Sequence, residues 1–363
     1  IGLFYGLSGW KANKMILTYS YRVKDQGVRK KLCRLARAVN LVWNYTNETS
    51  YNAIRNHGKW LTKYDFRPLL KGTSKELPIN SQTVQAVSDE LVTRRKQFKK
   101  AKLKWRGKDS LGWVPFNGQT IQVREGAVFY NGERYRFWEH RKIQGKIKTG
   151  SFTQDSRGRW YVHFQCEVDE AVEHGNREIG IDLGLKDQVT CSDGQKYTRE
   201  NLTKKYEVQL AQAQRAKKVK WIKAIHSRIK NKRKDWTHQV TSKLCKSSKY
   251  IVVGQIHSKK LAQTRLAKSV LDASWGSFTT LLQYKAIRHG MVVQIVSEKW
   301  STQTCSCCGV IPEGAPKGIS ALGVRSWRCS GCGAQHDRDI NAAQNIFNFG
   351  AGRCTPTGNL SLQ

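Results

Sequence analysis

"REIGIDLGLKDQVTCSDGQKY" (residues 177–197) is the stretch whose reading decides the fold. Two short apolar runs flank a turn near Lys186–Asp187, the pattern of a buried hairpin. Downstream, 201–249 is helical, with Val219, Ile222, Ile225, Ile229, Trp236, Val240 and Leu244 along one face. An apolar strand follows at 250–257, then a helix over 274–290 ending near Gly290, then a strand at 291–300. Strands alternating with helices and carrying buried runs predict an α/β sheet domain. Asp182 sits inside this pattern. A carboxylate in an apolar strand costs several kcal/mol unless it is paired or bound to a metal. A salt-bridged strand end and a metal ligand fit it equally well.

Upstream, the pattern is different. "MILTYSYRVKD" (15–25) alternates as a strand does. From Val28 the period becomes helical, with Leu32, Leu35, Val39 and Val42 in register and Trp43 widening the face. A second helix is predicted from about Ser81 to Lys102, basic at its end where cations suit the dipole. Residues 105–168 return to short strands, with hairpin turns at "NGE" and "DSRGR". The expected architecture is a β-barrel of 1–27 and 105–175 interrupted by a helical unit, 28–104. Most of its aromatics belong to the barrel core; a basic, aromatic surface also suits nucleic-acid backbones and stacked bases.

The chain has 363 residues, room for two or three domains. Lys and Arg number 64 against 27 Asp and Glu, a net charge of +37. Such an excess, recurring in most segments, calls for a polyanion. It is steepest over 201–249, with 15 basic residues and 2 acids, which argues for a phosphate-tracking helical pair. No run reaches the ~18 apolar residues of a membrane span. No secretory signal is visible, and Met15 reads as a start codon with 14 upstream residues. The tail 351–363 reads as disordered.

Of 10 cysteines, six are scattered: Cys33, Cys166, Cys191, Cys245, Cys307 and Cys354. That fits a reducing cytoplasm. Cys305, Cys308, Cys329 and Cys332 form CxxC-x20-CxxC, two turns that each offer two thiolates to one tetrahedral zinc ion. A closed set of four leaves no open position, so this zinc is structural. Cys307 lies inside the first turn but fits the spacing less well, and four thiolates leave His336 no place in the shell. In "HDRDINAAQNI" (336–346), Asp337 reads as a helix N-cap and Asp339 as a first-turn residue. Asp339 takes on more than a capping role only if it converges on Asp182.

"IGIDLG", "LAKSVLDASWGSFTTLLQYKA" and "TQTCSCCG…CSGCGAQHDRDINAAQNI", in this order, resemble the TnpB family, compact transposon-encoded relatives of type V CRISPR effectors. The close resemblance covers about 175–350; the layout before it agrees more loosely with the family's wedge and recognition domains. The resemblance implies an RNase H-like RuvC nuclease domain (176–300 and 336–350) with an inserted zinc-ribbon, target nucleic-acid-binding segment (301–335). It implies three carboxylates holding two Mg²⁺ ions, with Asp182 matching the first and Asp339 the third. Where the common pattern has a Glu at the end of the "YIVV" strand, this chain has Gly254 and then Gln255. Glu298, at the end of the later strand, is the expected replacement. Its bland alternative is a surface residue at a strand end; Asp272 is more readily a helix brace.

The implied function is RNA-guided cleavage of double-stranded DNA beside a short adjacent motif, with a guide derived from the transposon end and a cytoplasmic, nucleoid-associated location. Two readings compete. A nuclease-dead, RNA-guided DNA binder, repressor-like in action, draws on the glycine at 254. A zinc-ribbon binder without a guide predicts no carboxylate cluster at all.

Overall fold

The computed structural model describes residues 14–168, 173–256, 261, 263, 267–317 and 320–353. The chain divides into two units, Ile1–Glu170 and Ala171–Gln363.

In the first unit, strand β1 (Met15–Arg22) turns Tyr19 and Tyr21 inward and pairs antiparallel with β7 (Trp160–Val168), Met15 opposite Val168. β6 (Lys146–Gln154) and β2 (Trp113–Asn117) extend this sheet in the order β1-β7-β6-β2. β3 (Ile121–Arg124), β4 (Ala127–Tyr130) and β5 (Glu133–Arg136) make a second sheet. The expected hairpins form. Asn131 and Gly132 both have positive φ, 50° and 76°, as a tight two-residue turn with the right twist requires. In "DSRGR", the Asp155 carboxylate accepts the Arg157 and Arg159 amides at 2.9 Å each.

The strands of the expected barrel fall in two sheets, joined where the Lys24 amide donates to the Arg136 carbonyl and the Trp138 amide to that of Arg22. Among the described residues they meet through the bridge Val23–Phe137, while a 3₁₀ turn at Gly118–Thr120 swings the chain between β2 and β3. Between them packs an aromatic core, with Phe116, Phe152 and Tyr135 in sequence at ring separations of 5.4 and 5.0 Å. The aromatics of 105–168 are thus mostly core, with Trp105 and Trp138 exposed.

Helix α1 (Arg29–His57) buries Leu32, Leu35, Val39, Val42 and Trp43, the face its period predicts. Helix α2 (Ser81–Phe98) is N-capped by Asn80 and stops four residues before the predicted Lys102, with Lys99 left-handed at φ 51°. The reason is tertiary: the backbone beyond, at Leu103 and Arg106, is hydrogen-bonded to asparagines of α1.

In the second unit, β8 (Arg177–Asp182), β9 (Val189–Cys191), β10 (Lys196–Tyr197), β11 (Ser248–Gln255) and β12 (Val292–Ser297) form one sheet, order β10-β9-β8-β11-β12. The hairpin β8–β9 is present, and β10 adds a further antiparallel strand. β8, β11 and β12 run parallel. Helix α3 (Glu207–Arg215) precedes α4 (Val219–Ser247), which buries Ile225, Ile229, Val240 and Leu244 but leaves Val219 exposed. Helix α5 (Ala267–Ala273) leads into α6 (Trp275–His289), which stops at left-handed Gly290 and packs Phe278 and Leu282 into the same core as Val240 and Leu244. Helix α7 (Arg338–Gly350) lies on the sheet so closely that a Cβ at Gly180 would collide with the Ala343 carbonyl. β13 (Ser326–Arg328) and β14 (Gln335–Asp337) form a two-stranded ribbon.

No described helix is long and apolar enough to cross a membrane. Of the expected disordered tail, residues 354–363 lie outside the described residues, as do 1–13 of the proposed upstream segment.

Candidate active site and metal centre

Parallel pairing sets the site. β8 and β11 are in register with Ile181 opposite Val253, and β11 and β12 with Gly254 opposite Val296. Three strands therefore end on one edge, where α/β sheets present functional groups. Asp182 is the last residue of β8, Glu298 the first beyond β12, and Asp339 lies in the first turn of α7. The Glu298 and Asp339 side chains both come within electrostatic reach of Asp182. Burial, then the neighbouring charges of Asp339 and Glu298, push the Asp182 carboxyl up to about 8, against the pull of Arg338. Burial alone pushes Glu298 up to about 7.

The missing glutamate has a steric counterpart. A Cβ built on Gly254 would stand 3.3 Å from the Glu298 Cβ and 2.8 Å from Cδ1 of the buried Ile346. Glu298 thus springs from the space beside the bare glycine, and it does not stand out in solvent as a strand-end surface residue would.

Asp337 caps α7, accepting the amides of Asp339 and Ile340 at 3.0 and 3.1 Å, and pairs with Lys196 at 2.7 Å. Asp339 is held by Arg325 at 3.1 Å, a contact the sequence did not signal. A divalent cation at this carboxylate would compete with that guanidinium. Asp272 is a brace: it is buried, and it binds Arg233 at 2.6 Å, Arg199 at 3.2 Å and the Thr203 hydroxyl at 2.8 Å.

Among the described residues, the set of His, Cys, Asp or Glu ligand atoms lying within 4.8 Å of one another is that of Cys305, Cys308, Cys329 and Cys332. The Cys305–Cys332 and Cys308–Cys329 sulfurs are each 3.7 Å apart. A tetrahedron with Zn–S bonds of about 2.3 Å has edges of about 3.8 Å, so the cage fits zinc. Cys307 is exposed and outside the set. His336 Nε2 lies 3.0 Å from the Cys305 sulfur, placed to donate to a thiolate rather than to complete a shell, and its ring packs on Trp327 at 4.8 Å.

Two buried asparagines of α7 tie this cage to the carboxylate edge. Asn341 and Asn345 donate to the Thr304 carbonyl at 2.8 and 2.7 Å, and Asn341 accepts the Ser306 amide at 2.9 Å. Their i, i+4 spacing within "INAAQNI" was the available signal, but it names no partner.

Comparison with known proteins agrees with this layout. Residues 162–265 match a family model described as "Probable transposase" (OrfB_IS605), and 275–346 match one described as "Cas12f1-like, TNB domain". A Streptomyces pristinaespiralis protein provisionally named an RNA-guided DNA endonuclease is 31% identical over 56% of this chain. The TnpB-like protein L79 of Acanthamoeba polyphaga mimivirus is 27% identical over the same share. The matches span 52% and 43% of those relatives' lengths. InsQ of Escherichia coli K12, provisionally named in the same way as the Streptomyces protein, is 25% identical over 93% of both chains. The fold is also that of Cas12f1 in a cryo-EM structure of its complex with sgRNA and target DNA, at TM-score 0.58 and 14% identity over 89% of this chain and 83% of that one. The order of the two family models along the chain, together with these relatives, makes the chain similar to proteins of the TnpB family.

Proposed function

We propose that the chain is an RNA-guided DNA endonuclease of transposon origin, cutting target DNA by two-metal-ion hydrolysis. The observation that supports this is geometric: Asp182 ends β8, Glu298 follows β12 and Asp339 lies in the first turn of α7, with the Glu298 Cβ 3.3 Å from where a Cβ on Gly254 would stand. Crowded acids with shifted affinity for protons fit divalent cations, and an all-oxygen donor set suits Mg²⁺. Divalent ions held there would activate water and stabilise the leaving oxygen of an in-line displacement. The chain's own part is to hold three carboxylates in a partly desolvated edge, to keep Asp339 oriented against Arg325, and to fix the start of α7 through Asp337 and Lys196.

On this reading 176–300 with 336–350 is the RuvC domain, 301–335 the zinc-ribbon insert, 1–27 with 105–175 the wedge and 28–104 the recognition domain. The relatives named for RNA-guided cleavage, and the neighbour bound to sgRNA and target DNA, support guide RNA and target duplex as partners. The net charge of +37 suits both.

The test is cleavage of a guide-matched plasmid by the purified protein–RNA complex in Mg²⁺, with Asp182→Ala and Asp339→Ala as controls. Each substitution is expected to cut the rate at least about a hundredfold while sparing target binding. The glycine at 254 favours the nuclease-dead alternative; wild type that binds matched DNA but never cuts it would establish that reading instead.

A further inference from the structure

Three asparagines at helical spacing on α1 grip a piece of chain that has no strand partner. Asn47 donates to the Leu103 carbonyl at 2.8 Å and accepts its amide at 3.0 Å. Asn44 does the same for Arg106, at 2.9 Å in each direction. Asn40 accepts from Arg106 Nε at 2.7 Å, and Trp43 Nε1 donates to the Lys104 carbonyl at 3.2 Å. Asn44 and Asn47 are buried, so each spends its amide on this backbone. The asparagine side chains supply backbone partners as a neighbouring strand would, and residues 103–107 belong to neither helix nor strand.

What the ladder displays is unusual for a surface. A groove of about 640 Å³ is lined by Arg94, Phe98, Lys100, Lys102, Lys104 and Trp105, among others. Trp105 and Phe98 are each 52% exposed. Arg94 is paired with Glu90 and Lys102 with Glu48, whereas Lys100 and Lys104 have no acidic partner among the described residues. Half-exposed rings at Phe98 and Trp105, with Lys100 and Lys104 between them, match a polynucleotide whose phosphates meet the lysines while a base stacks on the ring.

We propose that the Leu103–Gly107 arm, held by the asparagine ladder, is a docking track for an unpaired stretch of RNA. Folded RNA keeps splayed bases permanently available, whereas a DNA duplex hides its bases in the stack. The assignment rests on the RNA-guided reading above and adds to it a contact residue, Trp105, and three positioning residues.

The full-length protein is tested with three probes: a 12-nucleotide oligouridine carrying one 5-iodouridine, the same strand paired with oligoadenosine, and a 12-nucleotide oligothymidine DNA. Irradiation is expected to crosslink the single RNA strand to Trp105 or Phe98. Trp105→Ala should weaken binding of that strand about tenfold or more with the melting temperature unchanged, and Trp105→Phe should recover most of it. Asn44→Ala should lower the crosslink yield although Trp105 is intact, and Lys104→Ala should reduce the salt slope by about 0.7. Crosslinks elsewhere with full affinity in Trp105→Ala would overturn the track. Tighter Trp105-dependent binding of the DNA strand would overturn its assignment to RNA. If wild type cleaves under guide control yet the strand never reaches Trp105, this inference alone falls. If the strand crosslinks to Trp105 but guided cleavage is absent, the endonuclease reading falls and the track stands.

Discussion

Moving the carboxylate between residues 298 and 254 tests the reading of the site most directly. Glu298→Ala is expected to lower cleavage at least about a hundredfold with target binding retained. Restoring a glutamate at 254 in that variant should recover a large part of the loss, about tenfold or more, because the two Cβ positions are only 3.3 Å apart and a glutamate's two methylenes bridge that offset. The swap has a packing cost. The new Cβ stands 2.8 Å from Ile346 Cδ1, inside a filled core, and overpacking of this kind costs about 1–3 kcal/mol. For a unit of this size, that corresponds to a fall in Tm of about 2–12 °C. Ile346→Val removes the offending methyl at a cost of about 0.5–1.5 kcal/mol, so the triple variant should melt no lower than the double and cut at least as well. Guided plasmid cleavage gives the rates, filter binding the target affinity and calorimetry the Tm. Gly254→Gln in the Glu298→Ala background has nearly the same size and no charge, and it should recover nothing. Normal cleavage by Glu298→Ala, or equal rescue by Gln and Glu at 254, would refute the displaced-carboxylate reasoning.

Three further outcomes follow from the same structure. Burial and neighbouring charge hold Asp182 at about 8, and burial holds Glu298 at about 7, above the ordinary 3.8 and 4.5, so the metal-free native state binds protons the unfolded chain has released. Its stability should therefore fall as pH rises from about 4 to about 8, and urea titrations should show a shallower fall in Asp182→Asn and a smaller one with Mg²⁺ present. Metal analysis should find one zinc per chain, kept in Cys307→Ser and lost in Cys305→Ser or Cys329→Ser; zinc retained in the latter pair would contradict the four-sulfur cage. Asp272→Ala should cost about 3–5 kcal/mol by stranding Arg199, only 6% exposed at its side chain, beside Arg233 with no anion; a loss below about 1 kcal/mol in chemical denaturation would show the brace to be dispensable.

The zinc cage was legible in the chain because a CxxC turn fixes its own geometry: two residues between cysteines set the sulfur spacing whatever surrounds them. The helix faces of α1 and α4, the hairpin at Asn131–Gly132 and the cap at Asp337 were legible for the same local reason. Asp182 and Asp339 could be named as candidates from their strand and helix-start contexts, but nothing local states that they meet.

The approach of Glu298 to position 254 was decided by the sheet. Glu298 lies 44 residues beyond Gly254, and only parallel pairing of β11 with β12 brings its Cβ beside the empty position. The early end of α2 was decided the same way, since the basic run after Phe98 has helical propensity and yields to hydrogen bonds from Asn40, Asn44 and Asn47 on another helix. Sequence by itself determined the elements, the cage and the polyanion preference, because those depend on period, spacing and charge. Which acids share a site, and which backbone the asparagines hold, depended on contacts between residues far apart in the chain, and those exist only once the tertiary structure has formed.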